Sequence, residues 1–177
     1  MLLIIEGIHN TGKTTLVEAL QSYFKTFTCR RSFPELISAK NSQVTDFSFG
    51  VNCCVTWFAK TVTDNILFDR LHVSEYAYSV AIRQASEVEA FKNFRMIDTA
   101  LSKCNVKMVF LTCDYDIICG RLSEKNQVYN KEDFELLTTL FDKAQNATLI
   151  KSIIIDTGKF NQSAVIDVVM GFCNKDE

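Results

Sequence analysis

Leu2-Leu3-Ile4-Ile5-Glu6-Gly7-Ile8-His9-Asn10-Thr11-Gly12-Lys13-Thr14-Thr15 is the stretch that decides the fold. The apolar run at its start reads as a buried strand, and Leu16, Val17, Leu20, Tyr23 and Phe24 follow it at helical spacing. Between them Gly7 and Gly12 bracket a loop that ends in Lys-Thr. Two glycines let a backbone wrap closely around a polyphosphate, and the N–H groups of the loop and of the helix's first turn act as anion donors. The lysine adds a point charge for the β- and γ-phosphates, and a Thr14 hydroxyl can ligate Mg²⁺. Strand, glycine loop and helix in this order form a P-loop, whose ligand is a nucleoside triphosphate such as ATP. Gly7, Asn10, Thr11, Gly12, Lys13, Thr14 and Thr15 are the candidate ATP-binding residues.

Working outward, the 177 residues are enough for one α/β domain with a sizeable core and short for two. Apolar residues at 47% and charged residues at 23% are ordinary globular values, and the single proline leaves little room for a long disordered linker. A net charge of −2 gives no global attraction to nucleic acid or anionic membrane. The seven cysteines show no CxxC spacing and lie mostly in apolar strand or helix patterns. An odd count without ligand spacing argues against a disulfide framework and a zinc site. With no leader pattern and no apolar run near ~18 residues, a reducing, cytoplasmic location is expected.

Further along the chain, strands and helices alternate. The patterns predict strands at 2–6, 27–31, 65–69, 105–113 and 152–156. Helices are predicted at 13–25, about 51–63, about 76–103, 115–122, 131–146 and 161–173. Alternation of this kind implies right-handed crossovers and a mostly parallel sheet buried on both faces. The long helix would carry Ala81, Ala85, Val88, Phe91, Phe94, Ile97 and Leu101 on one core-facing stripe. In open parallel sheets ligands gather at the carboxyl ends of strands. Three strand ends carry polar residues of interest: the glycine loop, Asp69-Arg70, and Asp114. Asp69 suits a magnesium-bound water, and the planar guanidinium of Arg70 suits bidentate contact with a second phosphoryl group.

The glycine loop with Ile5-Glu6-Gly7, together with the spacing Asp69-Arg70-x-x-x-Ser74-x-x-Ala77-Tyr78, resembles thymidylate kinases, within the nucleoside monophosphate kinase group of P-loop proteins. Those enzymes read EG-x-x-x-x-GK-(S/T)-T and DR-x-x-x-S-x-x-A-(Y/F), and both patterns are met. Arg31-x-Phe33-Pro34 is similar to their acceptor-side segment, and the run from Leu111 through Ile118 to Arg121 is similar to their strand, short helix and adenine-packing arginine. The resemblance implies a five-stranded parallel sheet flanked by helices, with a short lid at about 123–131. It also implies ATP and Mg²⁺ as cofactors, a role in nucleotide biosynthesis, and a homodimer through the helices around 51–63 and 76–103. It assigns Lys13 and Thr14 to the donor phosphates and metal, Asp69 to the metal, Arg70 to the acceptor phosphate and Arg121 to adenine. Lys13, Asp69 and Arg70 are thus the catalytic candidates. Phe33, Pro34, Ser74 and Tyr78 fall on the acceptor side.

Departures from the pattern bear on the substrate. The family commonly has a sugar-reading aspartate where this chain has His9, which can hydrogen-bond only as a donor or neutral acceptor. In place of the family's base-reading arginine the chain offers Asn52, Thr56, Trp57 and Phe58. Trp57 or Phe58 either stacks on a base or belongs to the core. Neither the lid nor the P-loop contains an arginine, and Lys125 is the nearest substitute. Glu6 either orients the loop or a metal-bound water, or is a strand-end carboxylate satisfied by loop N–H groups. His72 has no assigned part.

Three functions compete at this point. One is ATP-dependent phosphoryl transfer to a (deoxy)nucleoside monophosphate. Another is transfer to a hydroxyl, of a deoxynucleoside or of a hydroxymethylated base in a nucleotide or in DNA, with Asp69 or Glu35 as base. Missing global positive charge argues against DNA as acceptor. The third is a nucleotide-binding regulator whose catalysis has decayed.

Overall fold

The computed structural model describes residues 1–24, 28–30, 42–61, 63–121 and 130–175. The predicted lid, Phe33, Pro34, Glu35 and Lys125 lie outside the described residues, the last two positions of the lid excepted.

Five strands, β1 (Leu2–Gly7), β2 (Thr28–Arg30), β3 (Ile66–Asp69), β4 (Val106–Thr112) and β5 (Lys151–Asp156), form one sheet in the order β2-β3-β1-β4-β5. Every pair is parallel, with Ile5 beside Asp69, Gly7 beside Leu111 and Thr112 beside Asp156. Among the described residues the helices are α1 (Lys13–Leu20), α2 (Ser42–Thr61), α3 (His72–Ala81), α4 (Glu87–Leu101), α5 (Tyr115–Gly120), α6 (Lys131–Ala147) and α7 (Gln162–Asn174). β1 is central and its two neighbours are reached by different crossovers, so the loop after it opens at the topological switch point, where open α/β sheets bind ligands.

Because side chains alternate along a strand, β1 feeds two cores. Leu2 and Ile4 join Phe68, Met108 and Phe110 under α3, α4 and α6. Leu3 and Ile5 join Leu67, Val109, Leu111 and Ile155 under α1 and α7. All of β1 is buried, as a strand covered on both faces requires. A buried charge finishes the second core: Lys107 Nζ donates to the carbonyls of Phe172 (3.0 Å) and Cys173 (2.8 Å), capping the C-terminus of α7.

Two helix predictions are corrected. The single helix expected at about 76–103 is two helices, α3 and α4, separated by a turn at 82–86. Gln84 sits at φ 57° there, and Ser86 precedes a first turn bearing Glu87 and Glu89. Ser86-Glu87-Val88-Glu89 is an N-terminal helix signature that apolar periodicity masked. Val88 consequently leaves the core stripe and is 80% exposed. α2 begins at Ser42, nine residues before the expected start. No helix among the described residues is long and apolar enough to cross a membrane.

Candidate active site

The loop after β1 follows from three unusual backbones. Gly7 has φ 145°, and a Cβ there would come within 2.3 Å of the Leu111 carbonyl oxygen on the neighbouring strand. Asn10 (φ 62°) and Gly12 (φ 88°) occupy the left-handed region, and Gly12 delivers the chain into α1. The first-turn N–H groups of α1 have no intrahelical acceptor and face the loop's interior as anion donors. Thr11 Oγ1 donates to the Ile8 carbonyl (2.9 Å). Buried Lys13 folds its ammonium onto the same carbonyl and onto Thr11 Oγ1 (3.3 Å). Burial, and then the positive charge of Arg70, hold the Lys13 pKa well below the usual lysine value, against opposition from Asp69 and Glu6. An anion at the loop would favour the charged ammonium and so oppose both effects.

A cleft of about 620 Å³ opens over this loop, within the range of small-molecule sites. His9, Asn10, Gly12, Lys13, Thr14 and Thr15 form its floor, Asp69 and Arg70 line it from the end of β3, and Arg121 lines it from the end of α5. Thr157, Phe160, Gln162 and Val165, from the segment after β5 and the start of α7, complete the lining. The Arg121 guanidinium is fixed by the carbonyls of Asn10 (3.3 Å) and Thr157 (2.6 Å) and by Thr157 Oγ1 (3.0 Å). Sequence reading missed Thr157, Phe160 and Gln162. The signal was present, since β5 ends at Asp156 beside Thr112 and its carboxyl end lies in the same row as the others.

At the end of β3 the Thr14 hydroxyl donates to Asp69 Oδ2 at 3.4 Å. Asp69 Oδ1 is buried and has no hydrogen-bond partner among the described residues. An orphaned buried carboxylate oxygen next to a loop hydroxyl is the hard-oxygen donor set that Mg²⁺ prefers, so these two residues fit the ion.

Arg70 turns the chain from strand to helix. Its N–H continues the ladder to the Ile5 carbonyl (2.9 Å), after which φ 71° swings the backbone into α3. A left-handed arginine costs backbone energy, and such residues cluster at functional sites. Its Nη1 donates to the Gly7 carbonyl (2.8 Å) and to Ser74 Oγ (3.1 Å), and the guanidinium lies 5.1 Å from the Tyr78 ring centroid. Burial works to lower the Arg70 pKa, but Tyr78, Glu6 and Asp69 outweigh it and raise the value above the ordinary one.

His9 meets the Tyr78 ring edge-on, ring centroids 5.4 Å apart. Burial first, then the charges of Arg70 and Lys13, lower its pKa to about 3, so the imidazole is neutral at physiological pH. Glu6 is wholly buried and accepts from the backbone N–H groups of Leu71 (2.8 Å) and Ser74 (3.2 Å) and from the Ser74 hydroxyl. It is therefore a strand-end carboxylate satisfied by N–H groups, and the groups belong to the start of α3. Its cap replaces the side-chain cap that Leu71 cannot supply.

The structure thus gathers Gly12, Lys13, Thr14, Thr15, His9, Asn10, Asp69, Arg70 and Arg121 around one cleft, with Gly7 and Thr11 shaping the loop and Ser74 and Tyr78 behind Arg70. It does not bring Trp57 there: that side chain is 69% exposed and does not line the cleft. Asn52 and Thr56 are buried on the face of α2 that the core covers. His72 stacks on Phe94 and pairs with Asp98, away from the cleft.

No protein-family model matches the chain, and no curated protein sequence does. Solved structures do. YorR of Bacillus subtilis, solved in complex with phosphorylated GDP, superposes with a TM-score of 0.72 at 20% identity, over 97% of this chain and 95% of its own. Thymidylate kinase of Candida albicans gives 0.70 at 17% identity, over 99% and 91%. Deoxyadenosine kinase of M. mycoides, solved with bound dATP, gives 0.71 at 14% identity, over 98% and 100%. At such low identity the likeness concerns architecture, and the chain has the P-loop kinase fold, shared with YorR, the thymidylate kinase and the deoxyadenosine kinase.

Proposed function

We propose that this chain transfers the γ-phosphoryl group of ATP to the phosphate of a (deoxy)nucleoside monophosphate, in the manner of thymidylate kinases. The observation that carries this reading is one cleft holding two differently built cation sites. Lys13 lies on the glycine loop, while Arg70 is clamped by Gly7, Ser74 and Tyr78 at the next strand end. Loop N–H groups and Lys13 bind the donor polyphosphate, and the fork of Arg70 receives the acceptor phosphate. Thr14 and Asp69 would hold Mg²⁺, which when bound neutralises charge on the donor phosphates. Arg121 and Phe160 offer planar faces to the donor base, and the Gln162 amide offers both a donor and an acceptor. Phosphoryl transfer requires little proton chemistry when the acceptor is already an anion, so alignment and charge do the catalysis. That suits a cleft whose imidazole titrates near 3 and whose Glu6 is consumed in capping.

A second reading rests on one atom. Asp69 Oδ1, buried and unpartnered among the described residues, would serve as general base if the acceptor were a hydroxyl. Incubation with ATP and Mg²⁺ against nucleosides, nucleoside monophosphates and DNA, with products identified by mass spectrometry, separates the two. Nucleoside diphosphates are expected. Phosphate appearing only on hydroxyls would replace the first reading by the second.

A further inference from the structure

Arg70 is held from two sides, and only one of them belongs to the P-loop. On the other side a hydroxyl stands between two buried charged groups: the Ser74 O–H donates to Glu6, while a lone pair of the same oxygen accepts from Arg70 Nη1 at 3.1 Å. A guanidinium can only donate and a carboxylate can only accept, so a group with both capacities is needed to bridge them in this order. Glu6 itself is locked, because its two oxygens also accept from the Leu71 and Ser74 backbone N–H groups at the start of α3. β1 therefore reaches the guanidinium twice, through the Gly7 carbonyl and through the Glu6 side chain one residue earlier.

We infer that Glu6 is a positioning residue that sets the Arg70 guanidinium through the Ser74 hydroxyl, tying the orientation of the acceptor-side cation to the strand that carries the donor loop. The role of Arg70 on the acceptor phosphate is taken from the function proposed above; the Glu6–Ser74–Arg70 linkage is not. Glu6 is wholly buried and bonded on both oxygens, so it touches no substrate. Its charge also acts on Lys13 and Arg70, but its geometric effect on the acceptor side passes through the direction in which Arg70 points. A misplacement of ~1 Å at such a group costs on the order of a hundredfold in rate.

The test uses the full chain with arginine side chains labelled with ¹⁵N, combined with steady-state kinetics. In the wild type Arg70, bonded to the Gly7 carbonyl and Ser74 Oγ, should give a resolved, slowly exchanging guanidinium resonance. Ser74→Ala, which keeps both backbone bonds of Glu6, should average it, and Ser74→Thr should restore it. In kinetics Ser74→Ala should raise the acceptor KM about tenfold with the ATP KM within about twofold, the size of one hydrogen bond to a charged group. Glu6→Gln should move the same parameters in the same direction. In an Arg70→Ala background Ser74→Ala should add less than about twofold, because the two act as a unit. An effect of Ser74→Ala undiminished in that background would mean direct substrate contact and would overturn the inference. An Arg70 resonance unchanged by Ser74→Ala, or already averaged in the wild type, would overturn it too. A wild type that forms no nucleoside diphosphate refutes the proposed acceptor while the resonance arm still decides the linkage.

Discussion

Two wholly buried carboxylates flank the start of α3, and they are used differently. Asp98, on α4, accepts from His72 Nε2 (3.2 Å), Thr148 Oγ1 (2.5 Å) and the Leu149 N–H (2.7 Å), sewing α3 and α4 to the segment before β5. Burial works to raise its pKa, yet those three partners hold it below the ordinary aspartate value. None of these partners lines the cleft. Glu6 accepts a similar set of bonds, but one of its partners, Ser74, passes the connection on to a guanidinium that lines the cleft. The same physics, a desolvated carboxylate repaid by hydrogen bonds, produces architecture in one place and aim in the other.

The largest effect should come from the cation that distinguishes the two. Arg70→Ala is expected to lower kcat/KM for the acceptor about a thousandfold while leaving the ATP Kd within about threefold, measured by kinetics and titration. Equal loss on both would remove the acceptor role. Breaking the other carboxylate should give the opposite profile. Asp98→Ala leaves a buried His72 without its partner and should cost about 3–5 kcal/mol in urea unfolding, with the ratio of acceptor KM to ATP KM in the remaining folded protein unchanged. A shifted ratio would mean that both carboxylates aim the cleft.

Much of this division was legible in residue order. The strand–loop–helix at the start, the Asp69-Arg70 strand end and the parallel sheet follow from patterns that span only a few residues or repeat with fixed period. Glu6 is different, because its partners lie more than 60 positions away and no local spacing announces them. The break between α3 and α4 was written in Ser86 and Glu89, but Ala81 and Ala85 on one side of Ser86 and Phe91, Phe94, Ile97 and Leu101 on the other fall on one apolar rhythm and hide the signal. Trp57 shows the converse failure. An aromatic on a helix near the site is a natural stacking partner in sequence, and only burial reveals that it faces solvent.

A smaller effect concerns His9, whose neutrality separates this loop from one with a carboxylate at that position. The unfolded chain protonates this imidazole at an ordinary 6.5 and the folded chain only near 3, so unfolding takes up a proton across that window. Stability should therefore fall as pH drops from about 6.5 toward 3, and His9→Asn should flatten that part of the curve in urea titrations at successive pH values. Since His9 is already neutral at pH 6, its titration should leave no inflection in the acceptor kcat/KM between pH 6 and 8. An inflection there that His9→Asn removes would show an imidazole exposed to its ordinary environment.

The central claim, that one cleft binds donor triphosphate and acceptor phosphate against separate cations, is met most directly by calorimetric titration of wild type and Arg70→Ala with ATP and with dinucleoside pentaphosphates that join the two ligands. The wild type should bind the best joined ligand at least about a hundredfold more tightly than ATP, and Arg70→Ala should lose most of that advantage while binding ATP normally. Equal affinity of the wild type for ATP and for every joined ligand would contradict the account.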